Sequence, residues 1–308
     1  MRILHVNKFF DWHGGAEVYL HGLVERQRQQ GHDVHVFATK RPGTPAHPDD
    51  RWSPAYHAYD RFEGPLEDAK KGLDFLWNRE ARRQMAACLD ELKPDIIHLH
   101  NLYHHLSSSV LEEIRARRLP CVQTLHDYKL ACPNYKMYTE GSPCERCRSG
   151  KYIEAVKHRC LGAGLAPNVL AALEMHLTKA TAAYETTVNV FLCPSRFMQA
   201  KMTEWGEPAG KMRFLPNPTA VPAEPARRGG GYVLYAGRLS PEKGLEVLIR
   251  GAAKVPSVPL WIAGKGPQEG ALHRLVDELG AKHVRFLGFL SPDELDGIRA
   301  KAEAVVLP

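Results

Sequence analysis

Residues 3–38 read ILHVNKFFDWHGGAEVYLHGLVERQRQQGHDVHVFA, and this stretch decides the fold class. Its first five residues are mostly apolar and predict a short buried strand. After a glycine turn, apolar residues recur at near-helical spacing until Gly31, and Val34–Ala38 predicts a second strand. Strand, turn, helix and strand form the unit of parallel, doubly wound α/β sheets, which bind ligands at the carboxyl ends of their strands.

The same alternation continues through the first two thirds of the chain. Asn78 is placed to cap a helix that Pro94 ends, and residues 95–100 predict the next strand. Ser108 begins another helix, which leads to a strand at residues 121–125. Residues 41–72 break the pattern because they are rich in Pro, His and Tyr. Such an insertion is either an acceptor-side loop or an unordered segment, and the sequence leaves both open.

A Pro- and Gly-rich stretch at residues 216–231 predicts a linker, since neither helices nor strands tolerate this composition. We therefore expect an N-terminal domain over residues 1–216, a linker over 217–230 and a second domain over 231–308. In that second domain we predict strands at 232–236, 260–263 and 284–287, a helix from Pro241 to Ala253, and a capping box of Ser291 and Glu294. Because the last predicted strand, at residues 304–307, has no helix after it, we expect this domain to be incomplete.

The composition is that of an ordinary globular protein, with 44% hydrophobic and 25% charged residues among 308. No stretch of about 18 apolar residues occurs, and the opening apolar run is too short for a secretory signal, so we expect a cytoplasmic protein. The net charge of +6 is spread along the chain, which argues against a nucleic-acid partner. Arginine clusters at 79–83 and 115–118 are either solvated helix faces or contacts to anionic lipid at the inner face of the membrane.

Two glycine-rich turns each lie between a predicted strand and a predicted helix. The first, Gly14-Gly15-Ala-Glu17, is weak by itself, because a tight turn needs no ligand. The second, Gly237-Arg-Leu-Ser-Pro-Glu-Lys-Gly244, also carries Arg238 and Lys243. A forked guanidinium and a mobile ammonium at a helix start suit a diphosphate leaving group. The alternative is a surface turn in which Glu242 pairs with these cations.

The ordered set of motifs resembles the retaining glycosyltransferase family 4, whose fold is GT-B. The resemblance covers essentially the whole chain. It rests on Gly-Gly-Ala-Glu near the start, Pro94-Asp-Ile-Ile-His-Leu-His100, Thr124-Leu-His-Asp127, Pro194-Ser-Arg-Phe197, Pro216-Asn217, the turn at 237–244, Ala263-Gly-Lys-Gly-Pro267 and Phe286-Leu-Gly288. It implies an α/β protein with two Rossmann-like, doubly wound parallel-sheet domains.

The resemblance also implies an activity and its residues. Such enzymes move a sugar from a nucleotide-diphosphate sugar to a glycan or lipid-linked acceptor, in cell-envelope or exopolysaccharide synthesis. They use front-face attack, in which the leaving phosphate helps to deprotonate the acceptor, and no cofactor is required for catalysis. By this resemblance His126 is catalytic. The donor-binding residues are Gly15, Arg238, Lys243, Gly264 and Gly266, and the acceptor-side residues are Glu17, His98, His100 and Asp127.

Three alternatives to this function stay open. Relatives carry two donor-binding glutamates after the last strand, and this sequence ends before them at Pro308, so a truncated, non-catalytic binding fragment is one. A sugar-nucleotide epimerase of the same fold is another. The third is a metallohydrolase: His98 and His100 alternate on one strand and point to the same side, and His104, His105 and His126 follow closely. We expect His98 and His100 to be structural or to line the acceptor site.

Four of the seven cysteines fall in an insertion at about residues 130–162, with the spacing C-x11-C-x2-C-x12-C. These residues are Cys132, Cys144, Cys147 and Cys160. The spacing is typical of structural zinc sites, and a cytoplasmic protein seldom uses disulfides. An iron–sulfur cluster or free thiols are the alternatives. Cys88, Cys121 and Cys193 lie inside apolar elements and are expected in the core.

Overall fold

The computed structural model describes residues 1–12, 14–59, 61–162, 164–218 and 229–308. They belong to two compact units. The first comprises Met1–Thr139 with Pro143–Pro218, and the second comprises Thr219–Pro308 with Glu140–Ser142. Most of the predicted linker, residues 219–228, lies outside the described residues.

The first unit is built on a sheet of six parallel strands in the order β2-β1-β3-β4-β7-β8. A separate two-stranded sheet pairs β5 with β6. The strands are β1 (Arg2–Val6), β2 (Asp33–Phe37), β3 (Ile96–Leu99), β4 (Cys121–Thr124), β5 (Tyr138–Thr139), β6 (Ser142–Pro143), β7 (Val190–Cys193) and β8 (Met212–Phe214). The chain order reverses direction between β1 and β3, which defines the switch point of a doubly wound sheet.

Eight α-helices connect these strands. They are α1 (Gly15–Gln29), α2 (Pro65–Leu76), α3 (Arg79–Leu92), α4 (Ser109–Ala116), α5 (Ile153–Lys157), α6 (Leu165–Ala180), α7 (Ala183–Thr187) and α8 (Arg196–Glu204). The predicted cap of α3 is confirmed, because the Asn78 side chain accepts a hydrogen bond from the Ala81 backbone N–H at 2.8 Å.

The central strands are apolar because both faces of the sheet are covered. On β1, Leu4 and Val6 pack into the larger core, whereas Ile3 points to the opposite face with Leu20 and Val24 of α1. Side chains alternate along a strand, so His5 lies on the α1 face. The core positions predicted for Cys88, Cys121 and Cys193 are confirmed, since all three are fully buried.

Residues 41–72 are more ordered than an unstructured loop. They contain a 3₁₀ turn at Pro48–Trp52 and the first part of α2. Asp49, in that turn, accepts a hydrogen bond from the Val36 backbone N–H at 2.8 Å, and Trp52 is buried. These long-range contacts hold the segment to the sheet, and local sequence gave no sign of them.

The second unit holds four parallel strands in the order β11-β10-β9-β12. Its strands are β9 (Val233–Ala236), β10 (Leu260–Ala263), β11 (Val284–Gly288) and β12 (Ala304–Val305), and its helices are α9 (Leu245–Ala252), α10 (Glu269–Glu278) and α11 (Pro292–Lys301). The capping box of Ser291 and Glu294 is confirmed.

The helix predicted from Pro241 to Ala253 is wrong in its first turn. Pro241–Lys243 form a 3₁₀ turn instead, and α9 starts only at Leu245. Gly244 separates the two because its φ of 69° is left-handed, a conformation that glycine adopts without strain.

None of the helices in the described residues is both long and apolar enough to cross a membrane. One arginine of each cluster considered for lipid contact is engaged in ion pairs: Arg82 with Glu112 and Glu113, and Arg117 with Asp90 and Glu113. The other arginines of the two clusters are exposed, so both interpretations of the clusters stay open.

Candidate functional site

The switch point of the first sheet places polar backbone and side chains at the carboxyl ends of β1 and β3. Lys8 N donates to the Asn101 carbonyl at 2.7 Å, and Asn101 N donates to Asn7 Oδ1 at 2.9 Å. Asn7 is fully buried. These bonds fix two chain segments side by side where doubly wound sheets bind their ligands.

The first glycine turn opens α1 next to this edge. Gly15 is exposed, and a Cβ built there would meet no atom within 4 Å. Glu17 is buried instead of facing solvent, and its Oε1 accepts from Asn7 Nδ2 at 3.3 Å. Glu17 therefore ties the turn to the end of β1, while the helix start at Gly15 stays open. Its predicted acceptor-side role stays a prediction.

His126 and Asp127 follow β4 directly. The hydroxyl of Tyr103 donates to Asp127 Oδ2, and Lys129 N donates to Asp127 Oδ1 at 3.0 Å. Burial raises the pKa of Asp127 to about 6. Burial, reinforced by the nearby Lys8 ammonium, lowers the pKa of His126 to about 4. At neutral pH His126 is therefore an uncharged imidazole.

The predicted common orientation of His98 and His100 is confirmed, since their rings stack at 4.4 Å between centroids. Both are buried, and burial holds the pKa of each well below its usual value. His98 Nε2 bonds Thr124 Oγ1 at 2.8 Å. As placed, neither side chain reaches a surface where an acceptor would lie, so their structural role is the better supported of the two.

A histidine that sequence reasoning did not select, His5, completes this group. Within the described residues, His5, His98 and His100 each offer a ligand atom, and these atoms lie within 4.8 Å of one another. However, His5 and His100 each use both ring nitrogens in hydrogen bonds to other side chains. Those bonds already satisfy the atoms that a metal would need, which weakens the metallohydrolase alternative.

The other two histidines of the proposed cluster lie elsewhere. His104 pairs with Glu174 at 3.1 Å and stacks on Phe75, whereas His105 packs against aromatic rings such as Tyr56. Glu174 is buried and also binds Lys129 Nζ at 2.6 Å. This pair supports the loop that carries Asp127.

Lys8 is the main residue that sequence reasoning missed at this edge. Its ammonium lies 5.3 Å from the centre of the Tyr103 ring. Burial lowers its pKa, although Glu17 and Asp127 oppose this shift. Its position directly after the first strand was the available signal, because that is where a parallel sheet presents its ligand-binding residues.

In the second unit, the turn at 237–244 presents Arg238 and Lys243 to solvent. Neither cation forms an ion pair with any residue that the structure describes. Glu242 Oε1 accepts from Ser240 Oγ at 2.7 Å. The alternative of a turn in which Glu242 neutralises both cations therefore lacks support, and both side chains remain available to an anion.

Gly264 and Gly266 are required by close backbone packing. A Cβ on Gly264 would lie 1.9 Å from the Gly237 carbonyl oxygen, and one on Gly266 would lie 2.2 Å from that of Leu239. The two loops are also joined by a hydrogen bond from Leu239 N to the Lys265 carbonyl at 3.0 Å. These glycines thus shape the Arg238 turn. Their direct contact with a donor stays a prediction.

Within the described part of the chain the four cysteines of the insertion form no disulfide, and Cys132, Cys144 and Cys160 influence Cys147 electrostatically. Burial and, to a lesser degree, Cys132, Cys160 and Cys144 raise the pKa of Cys147 to about 12. Cys132 Sγ donates a hydrogen bond to Asn134 Oδ1 at 3.0 Å. Burial raises the pKa of Cys132, and the backbone N–H groups of Met137 and Asn134 oppose this shift. The other three cysteines therefore act on Cys147, and metal binding by the four stays a prediction.

Comparison with known proteins follows the two units closely. Residues 13–221 match the model of glycosyltransferase family 4, and residues 219–308 match that of glycosyl transferases group 1. The chain is 33% identical over 114 residues to the lipopolysaccharide core biosynthesis glycosyltransferase LpsD of Rhizobium meliloti, covering 34% of this chain and 33% of the relative.

A second relative is the GDP-mannose-dependent alpha-(1-6)-phosphatidylinositol monomannoside mannosyltransferase of Mycolicibacterium smegmatis, 36% identical over 104 residues. That match covers 31% of this chain and 27% of the relative. The matched stretches thus span a third or less of the length of these curated relatives.

The fold is shared with the crystal structure of Anabaena HepE in complex with UDP-glucose, at a TM-score of 0.58 and 17% identity. The alignment covers 99% of this chain and 73% of HepE. This likeness confirms the predicted α/β fold class, GT-B with Rossmann-like parallel sheets. Since the first family model alone matches more than half of the sequence, the chain belongs to glycosyltransferase family 4.

Proposed function

We propose that this protein is a retaining glycosyltransferase that moves a sugar from a nucleotide-diphosphate sugar to a glycan or lipid-linked acceptor. The observation that carries the proposal is the turn at 237–244, where Arg238 and Lys243 are exposed beside the start of α9 and form no ion pair with any described residue. Two cations without carboxylate partners at a helix start form a site for an anion of high charge, such as a diphosphate.

The proposed reaction assigns a role to each part of the chain. The bond between the anomeric carbon and the donor phosphate breaks, and a bond from that carbon to the acceptor oxygen forms on the same face. The hydroxyl proton of the acceptor passes to the departing phosphate oxygen. Arg238 and Lys243 stabilise the negative charge that develops on the diphosphate.

The biological setting follows from the relatives. LpsD is named for lipopolysaccharide core synthesis and the mannosyltransferase for a phosphatidylinositol mannoside. We propose the corresponding role in cell-envelope or exopolysaccharide synthesis. Since lipid-linked acceptors lie at the membrane surface, transient association with that surface belongs to the same proposal.

The test is incubation of the purified chain with UDP-, GDP-, ADP- and dTDP-sugars, with and without a set of alkyl glycosides as acceptors. We expect slow hydrolysis of one donor alone, faster release of its nucleoside diphosphate with an acceptor, and a new glycoside. An epimerase would convert the donor sugar without an acceptor, and a metallohydrolase would stop when EDTA is added. Failure of every donor to bind would overturn the proposal and favour a non-catalytic role.

We also propose that Cys132, Cys144, Cys147 and Cys160 hold a structural zinc ion. Tetrahedral zinc uses four such thiolates, and backbone N–H groups commonly bond the ligand sulfurs. Backbone N–H groups lower the pKa of two of these thiols against the effect of burial, those of Met137 and Asn134 at Cys132 and that of Ala155 at Cys147. A bound ion would deprotonate the thiols and fix a segment that has little other regular structure.

Elemental analysis of protein purified without chelators should find about one zinc per chain. The Cys147→Ser variant should lose it and become more sensitive to proteolysis within residues 130–162. Cys88→Ala, which removes a core thiol outside this group, should keep the metal. Iron in place of zinc would indicate a cluster, and protein containing neither metal would leave four ordinary thiols.

A further inference from the structure

Four side chains form a continuous hydrogen-bonded row that leads from α1 across the sheet to His126. Gln27 Oε1 lies 2.7 Å from His5 Nε2. His5 Nδ1 lies 3.1 Å from His100 Nε2, and His100 Nδ1 lies 3.0 Å from His126 Nε2. His5 and His100 are fully buried, whereas His126 is partly exposed. We call this row the histidine relay.

The protons in this row are constrained by simple counting. Burial lowers the pKa of His5 to about 4 and holds that of His100 well below its usual value, so each imidazole is neutral at pH 7 and carries one N–H. A hydrogen bond between two neutral imidazoles needs one donating and one accepting nitrogen. Once the proton position on one ring is fixed, the positions on all the others follow.

Gln27 fixes the direction because its amide oxygen faces the row and can only accept. His5 must then donate from Nε2, which leaves His5 Nδ1 as an acceptor. His100 donates to it from Nε2 and accepts at Nδ1, so His126 donates from Nε2. The remaining nitrogen, His126 Nδ1, has no hydrogen-bond partner among the residues that the structure describes, and it carries a lone pair.

We infer that Gln27, His5 and His100 are positioning residues that hold His126 as the Nε2–H tautomer, with Nδ1 presented as a hydrogen-bond acceptor. A nitrogen lone pair accepts from a hydroxyl group and is repelled by the oxygens of a phosphate, which at neutral pH have little or nothing to donate. His126 would therefore recognise a sugar hydroxyl, not the diphosphate. This inference rests on the proposed function and assigns the sugar end of the donor, not its diphosphate, to His126.

The surroundings of His126 agree with this assignment to a sugar hydroxyl. The Tyr19 ring lies edge-on to it at 5.1 Å between centroids, which limits rotation of the imidazole. The ammonium of Lys8 helps to lower the pKa of His126, because it disfavours a second positive charge there. Both contacts help the uncharged tautomer to persist at the carboxyl end of the sheet.

The relay can be observed without any enzyme assay. In the full chain labelled with ¹⁵N-histidine, long-range ¹⁵N–¹H correlation spectra at pH 7 should show His5, His100 and His126 all as Nε2–H tautomers. An Nδ1–H tautomer at His126, which a reversed Gln27 amide would impose, would overturn the inference. So would an imidazolium at His126.

A variant tests whether Gln27 sets the tautomer of His126. Gln27→Leu removes the acceptor at the end of the row, and Gln27 is only partly buried, so the fold should persist. His126 should then show averaged signals of two tautomers, whereas His98, which bonds Thr124 outside the row, should keep its own signals. A His126 spectrum unchanged by Gln27→Leu would show that Gln27 does not set the tautomer.

Donor turnover gives the functional readout. We expect Gln27→Leu to lower kcat about threefold or more while the affinity for the free nucleoside diphosphate stays unchanged, because His126 contacts the sugar alone. Loss of diphosphate affinity would contradict the assignment of His126 to the sugar. If the tautomers are as inferred but no donor is turned over, the relay stands and the proposed function fails.

Discussion

Arg238→Ala and Lys243→Ala should each lower donor turnover by about tenfold or more, a loss of roughly 1.4 kcal/mol in transition-state stabilisation. Each substitution removes a charge-assisted contact to the diphosphate at the stage when its negative charge is growing. The rate of nucleoside diphosphate release, measured over a range of donor concentrations, is the readout. Because both side chains are exposed, neither change should alter the fold.

Matched substitutions separate this local effect from a general change in charge. Arg274→Ala and Lys254→Ala remove the same residue types from exposed positions on α10 and after α9. Both should retain normal turnover. If the Arg238 and Lys243 variants behave like these controls, the turn does not bind the diphosphate, and its cations are ordinary surface charges.

His126→Ala should reduce kcat by on the order of a hundredfold, and it should change donor affinity much less. A group that meets the sugar near the reacting carbon contributes most when that sugar is distorted in the transition state. Kinetics with a saturating acceptor and a varied donor separate kcat from KM. His32→Ala removes a histidine outside the relay and should leave both parameters unchanged.

A rise in KM alone for His126→Ala would indicate that this residue contributes to substrate binding and not to the reaction step. It would leave the diphosphate site intact, since that site depends on other residues. A variant with unaltered kinetics would contradict the assignment of His126 altogether, and the relay would then be a structural feature of the sheet.

The alternation of elements was predictable because it depends on local pattern. The second strand and the Ser291 capping box are specified by residues within a few positions of one another. The capping box occurs as expected, and the strand predicted at Val34–Ala38 lies one residue earlier, at Asp33–Phe37. The error at Pro241–Lys243 has a local cause too. The predicted helix continues the apolar spacing of α9 back across Gly244. In the structure the left-handed backbone of Gly244 ends the preceding 3₁₀ turn, and α9 begins after it.

The site was only partly predictable, because its decisive contacts join residues far apart in sequence. Residue spacing could place His98 and His100 on one side of a strand. It could not show that His5 bonds His100, which lies 95 residues later in the sequence, or that Gln27 bonds His5 at the other end of the row. Nor could a motif reveal that a Cβ at position 264 would clash with the Gly237 carbonyl oxygen. That contact depends on how two loops pack together.

The most direct test of glycosyl transfer by this chain is the anomeric configuration of the glycoside that it forms. Proton NMR of the product, made from an α-linked nucleotide-sugar and an alkyl glycoside, distinguishes the two anomers by their coupling constants. We predict an α-linked product, because attack occurs on the face that the diphosphate leaves. A β-linked product, or a donor that is consumed without any new glycoside in the presence of acceptor, would contradict the account.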